Sequence, residues 1–122
     1  MSPAEDDRGH PFYDERTVKD MFECNGKQYE LKMNIARVKL VEGATKTPLM
    51  AEWQNNNGCL SLNTIEVCFQ LCLKEAGADA YCPQKEGAAV CQEYMEKHGY
   101  MMAALRVQEA LQADMPFLFL AN

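Results

Sequence analysis

The most reactive side chains in this sequence are six cysteines, Cys24, Cys59, Cys68, Cys72, Cys82 and Cys91. Bound zinc needs thiolates or imidazoles at matched short spacings, such as a C-x2-C pair repeated along the chain. The closest pair here is Cys68-x3-Cys72 and the next is Cys82-x8-Cys91, so the spacing argues against a metal. A nucleophilic thiol needs a histidine or another cation beside it to make thiolate. The chain offers only His10, near its start, and His98, beside Gly99. His98 closes a predicted helix, where a basic side chain complements the helix dipole. The acidic residues suggest no acid–base pair either. Glu93 and Lys97 stand four apart, in the orientation that stabilises a solvated helix face. Gly77-Ala78-Asp79 is too short for a phosphate loop and follows no predicted strand. Neither a catalytic residue nor a cofactor or metal site is expected.

If the cysteines do no chemistry, they must be accounted for structurally. Six in a small chain could form a disulfide framework. The first 15 residues, MSPAEDDRGHPFYDE, are polar and acidic and hold no apolar signal-peptide core. No stretch approaches the ~20 apolar residues of a spanning helix. The sequence therefore reads as cytosolic, and the cysteines as reduced, small apolar groups. With 18 acidic against 12 basic residues the net charge is −6, which disfavours nucleic acid and anionic membrane surfaces as partners. An apolar fraction of 48% over 122 residues is enough for one real core. Residues 1–19 are charged, carry two prolines and predict a disordered acidic extension. Residues 20–122 predict a single domain.

That domain opens on MFECNGKQYELKM, residues 21–33. Asn25-Gly26 is the preferred pair for a two-residue type I′ hairpin turn. It sets Cys24 opposite Lys27 and Phe22 opposite Tyr29. Alternation then puts Phe22, Cys24, Tyr29, Leu31 and Met33 on one face and Glu23, Gln28, Glu30 and Lys32 on the other. An isolated hairpin is marginal in water, so this one must lie on helices or gain a strand.

Helices are predicted over 35–42, with Asn34 as cap and Gly43 as stop, and over 48–54, with Thr47 as cap and Pro48 first. The strongest runs over 62–76, capped by Ser61 and ended by Gly77. Ile65, Cys68, Phe69, Cys72, Leu73 and Ala76 share its buried face, and Val67 and Leu71 widen that stripe, as in a central helix. Two more follow, over 84–97 and 100–113. The first turns Ala88, Cys91 and Met95 inward, with Tyr94 a further candidate. The fold expected is mostly α (α+β), an N-terminal hairpin packed on a bundle of four or five helices.

Two features stand out from this bland frame. One is the run Phe117, Leu118, Phe119, Leu120, either tucked into a groove or offered to a partner. The other is the eight methionines, including Met101 and Met102, a residue type that adapts to varied apolar partners.

The order of segments is similar to that of phage tail assembly chaperones, small proteins of long-tailed phages and of prophages of Gram-positive bacteria. The resemblance rests on MFECNGKQYELKMN, on LVEG and TPLMAEW, on LSLNTIEVCFQLCLKEAGAD and on KHGYMMAALRVQEALQADMPFLF. It covers roughly residues 21–119. The acidic extension and the cysteine content depart from the pattern. The resemblance implies a non-enzymatic protein of the bacterial host cytoplasm, absent from the mature virion. Its partner would be the tape measure protein, which it keeps soluble, and it would help recruit tail tube protein. On that reading Phe117, Leu118, Phe119 and Leu120, with Met101 and Leu105, are the candidate partner-binding residues. Homo-oligomerisation stays open. The alternative is a small phage or bacterial regulator that sequesters a host protein.

Overall fold

The computed structural model describes residues 21–119. The predicted acidic extension over 1–19, His10 and Leu120 lie outside them. Strand β1 spans Met21–Cys24 and strand β2 spans Lys27–Leu31. They pair antiparallel with Cys24 opposite Lys27 and Phe22 opposite Tyr29, the register the turn residues demand. Asn25 and Gly26 both take positive φ, 54° and 81°, as a type I′ turn requires. The Glu23 carboxylate accepts the Gly26 N–H at 2.7 Å. Phe22, Cys24, Tyr29, Leu31 and Met33 are all buried, so the alternation is realised in full.

Helix α1 covers Ile35–Thr45. The Asn34 side chain caps it by accepting the Arg37 N–H at 2.9 Å. The helix runs straight through Gly43, which sequence reasoning took for its stop, and ends on Lys46 at φ 62°. The residue before a proline is pushed out of the helical region, so Thr47-Pro48 sets the end and an exposed mid-helix glycine is merely tolerated. Helix α2 spans Leu49–Asn55 with Pro48 at its N-cap, so it begins one residue later than expected. Thr47 does not cap it. A carboxylate of the preceding helix does, Glu42 accepting the Leu49 N–H at 2.6 Å.

Helix α3, Leu62–Cys72, is the hub of the bundle and touches α1 and both helices that follow it. Ser61 caps it, accepting the Thr64 N–H at 3.0 Å. Ile65, Cys68, Phe69 and Cys72 are fully buried and Val67 nearly so. The predicted extension to Ala76 is wrong. After Cys72 the chain becomes strand β3, Leu73–Glu75, which pairs antiparallel with β2 and sets Leu31 opposite Leu73 and Glu30 opposite Lys74. The hairpin needed a further partner for its backbone, and that long-range pairing outweighs the helix propensity of Leu-Lys-Glu-Ala. Gly77, at φ 84°, turns the chain after β3 rather than ending a helix. The Arg37 guanidinium lies 3.7 Å over the Tyr81 ring and donates to the Leu71 carbonyl at 3.0 Å. It thereby satisfies one of the acceptors that the helix end leaves open.

Helices α4, Gln84–His98, and α5, Tyr100–Asp114, complete the bundle, and a 3-10 turn follows over Pro116–Phe119. Helix α4 buries Gly87, Val90, Cys91 and Tyr94, while Ala88 and Met95 are only half-buried. Its inner face is thus rotated about one residue from the expected one. The reason is Gly87. A Cβ there would stand 2.7 Å from the Gln70 Cα and nearer still to the Phe69 carbonyl oxygen. Helices α3 and α4 therefore cross backbone to backbone at this glycine. Phe22, Phe69 and Tyr94 meet beneath, with ring centroids 5.0–6.3 Å apart, and seat the hairpin on the helices. Tyr29 donates to Glu86 at 2.7 Å and Arg106 donates to the Tyr94 hydroxyl at 2.9 Å.

Candidate functional site

The cysteines can be judged first. All six are free thiols. Burial pushes Cys72 and Cys91 up to about 12, and Cys68 well above its ordinary 9.0. Cys24, Tyr94, Lys97 and His98 line one small hollow of about 10 Å³, too tight for a substrate. There, burial and the carboxylates of Glu93 and Glu23 raise the Cys24 thiol above its usual range, against the pull of Lys97. The net shift of each of these thiols opposes thiolate, the form a nucleophile needs. Among the described residues no three His, Cys, Asp or Glu side chains gather as a metal ion would require. No described helix is long and apolar enough to cross a membrane.

The apolar terminus divides. Leu118 and Phe119 are half-buried against the core, and the Phe119 ring meets Trp53 edge-on at 6.0 Å. Leu118 N–H donates to the Met115 carbonyl at 3.1 Å, closing the turn. Phe117 points outward and is 50% exposed. Of the run read from sequence, two members are tucked, one is offered and Leu120 lies outside the described residues. On α5, Met101 is 70% exposed and Leu105 lies on the same face four residues on, also exposed. Met102 is exposed beside them.

One concavity among the described residues was not foreseen. It is an open groove of about 590 Å³ between α3, α4 and the start of α5. Leu62 and Glu66 form its α3 wall, and Tyr100 closes the α5 end. Ala88, Ala89, Cys91, Gln92, Met95 and Glu96 form the α4 side. None of the five predicted partner-binding residues that are described, Met101, Leu105, Phe117, Leu118 and Phe119, lines it. Two devices create it. The Gly87 crossing holds α3 and α4 close, and Ala88 and Ala89, next along the chain, leave room where larger side chains would fill the gap. The Tyr100 hydroxyl donates to the Leu60 carbonyl at 2.6 Å and accepts the Leu60 N–H at 3.1 Å, pinning α5 to the entry of α3. Glu52 secures the same entry. It accepts the Ser61 N–H at 2.6 Å and the Thr64 hydroxyl at 2.8 Å.

The electrostatics of the groove are one-sided. Glu66 and Glu96 stand on its walls, and among the described residues no lysine or arginine lines it. Each carboxylate accepts only an amide one turn away, from Gln70 at 3.4 Å and Gln92 at 3.1 Å. The Cys91 thiol, buried in the floor, stays protonated because burial, and then the Glu66 charge, disfavour thiolate. The apolar part of the lining suits an apolar ligand, and its one thiol is held in the protonated form. The one signal in the sequence that could have marked the place is the small pair Ala88-Ala89; that Leu62, at the first position of its helix, is left 60% exposed shows only in the structure.

Comparisons with protein-family models, with curated proteins and with solved structures give no match to this chain.

Proposed function

We propose that this chain is a tail assembly chaperone that binds the tape measure protein of a long-tailed phage. It acts in the bacterial cytoplasm, keeps that partner soluble before the tail tube polymerises around it, and leaves before the virion is complete. The observation that carries this reading is the kind of surface the bundle leaves free: an apolar groove of about 590 Å³ and, on α5, exposed Met101 and Leu105. Apolar grooves on helical scaffolds take the apolar face of an amphipathic helix, and a tape measure protein offers many such faces. Weak individual contacts suffice, because many copies along one long target act together. The net charge of −6 keeps the coated complex dispersed. The order of segments from the hairpin to the apolar terminus supports the same family.

Co-expression tests the reading. With this chain present, the tape measure protein of the same phage or prophage moves to the soluble fraction and co-purifies with it. A tape measure protein that stays insoluble and uncaptured contradicts the proposal. Recovery of a host protein in its place transfers the chain to the sequestering regulators.

A further inference from the structure

The groove and its unpaired carboxylates specify the partner more closely than the general reading does. We infer that the groove between α3, α4 and the start of α5 takes one amphipathic helix whose apolar stripe is flanked by lysine or arginine. The inference rests on the tail-chaperone reading for the identity of the partner, and on the geometry alone for its chemistry.

Three observations lead there. The walls are two helices and the floor is built from small or apolar groups, Ala88, Ala89, Cys91 and Met95, so the ligand surface must be apolar. A volume of about 590 Å³ suits the side chains on one face of a short helical stretch, not a whole helix of ~10–12 Å diameter. Glu66 stands on the α3 wall and Glu96 on the α4 wall, so a bound helix would have a carboxylate on either side. Within the described residues neither is in an ion pair and no cationic side chain lines the groove. An apolar stripe with acidic flanks would be repelled from both walls, and a neutral one would leave both charges without a partner as water is excluded. A basic-flanked stripe meets both. A second copy of this chain is a poorer occupant, since it brings a net charge of −6 to an acidic rim.

The probe is a labelled three-turn peptide with leucines at the i, i+3, i+4, i+7 spacing and lysines on either side, titrated against the full chain by fluorescence anisotropy. A twin peptide with glutamates in place of the lysines is the control. The lysine peptide binds, weakens as salt is raised, and binds the twin variant Glu66→Gln/Glu96→Gln about fivefold to tenfold less tightly. The glutamate peptide does not bind. Ala89→Trp fills the groove and removes lysine-peptide binding. Both variants are first shown to melt as the parent does, and the exposed glutamine pair serves if the tryptophan does not fold. Equal binding of both peptides, or binding indifferent to the glutamine pair, overturns the inference. So does self-association that Ala89→Trp abolishes, which would give the groove to a second copy. The same variants separate this inference from the general reading. If Glu66→Gln/Glu96→Gln and Ala89→Trp still solubilise the tape measure protein, the chaperone stands and the groove assignment falls. If the lysine peptide binds but the tape measure protein stays insoluble, the groove stands and the chaperone falls.

Discussion

Helices α3 and α4 present apolar surface on two sides, and the two sides are treated differently. On the inner side Phe22, Phe69 and Tyr94 interlock, and the polar tips around them are bonded, Tyr29 to Glu86 and Tyr94 to Arg106. On the outer side Leu62, Met95 and Ala89 face a gap that nothing in the chain's described residues fills, and the carboxylates above it lack ion-pair partners. Buried aromatic contacts with satisfied hydroxyls define one packing arrangement. An open apolar trough between rigid helices adds nothing to that packing and is available to a ligand. The same helix pair thus holds the fold with one face and leaves the other open among the described residues.

The sharpest way to break this comparison is to truncate one residue on each side. Phe69→Ala, in the sealed face, costs ~3–5 kcal/mol of stability. Leu62→Ala, in the groove, changes stability by no more than ~0.5 kcal/mol. Urea denaturation of the two variants checks this, and a similar loss for both would erase the distinction. Next in size is Gly87→Ala. Its methyl group would overlap the Phe69–Gln70 backbone and force the helices apart at a cost of ~1–3 kcal/mol, read as a lower thermal midpoint. A neutral outcome would mean that the crossing gives easily and that the groove is not rigidly held.

Alkaline pH acts on the sealed thiols. Cys72 and Cys91 are raised to about 12 from an ordinary 9.0. The folded state favours their protonated form, so their contribution is complete below about pH 9 and is lost as pH rises toward 12, where the unfolded chain has released protons the folded one still holds. Denaturation midpoints should fall over that window, and Cys72→Ala should flatten the fall. The smallest effect concerns access. Cys59 is exposed, while Cys24, Cys68, Cys72 and Cys91 are buried. A thiol reagent at neutral pH should label Cys59 first in the native protein and reach the buried four only on unfolding, as peptide mapping would show.

How much of this was legible beforehand follows the range of the forces involved. The hairpin was readable to its register because Asn25-Gly26 and strict alternation act locally. The core face of α3 was readable from its spacing, and its Ser61 cap from one residue type. The end of α3 was not, since Leu73 leaves the helix to pair with Leu31, more than forty residues earlier in sequence. The inner face of α4 was misread by about one position because Gly87 owes its place to the backbone of another helix. The terminus was half legible. Its apolar character predicted contact, but only the position of Trp53 decides that Phe119 is tucked and Phe117 is not. The groove depends on a helix crossing and on small side chains beside it, and no periodicity encodes that.

The methionine methyl groups give the most direct test, because they sample both regions. Met95 lines the groove, Met33 and Met115 are buried in the core, and Met101 stands exposed on α5. In a methyl-labelled NMR titration with the lysine-flanked amphipathic peptide, the Met95 signal should shift and saturate while Met33 and Met115 stay still. A Met95 signal that does not move while the peptide binds, or a shift confined to Met101, would contradict the claim that the outer face of α3 and α4 is the partner's seat.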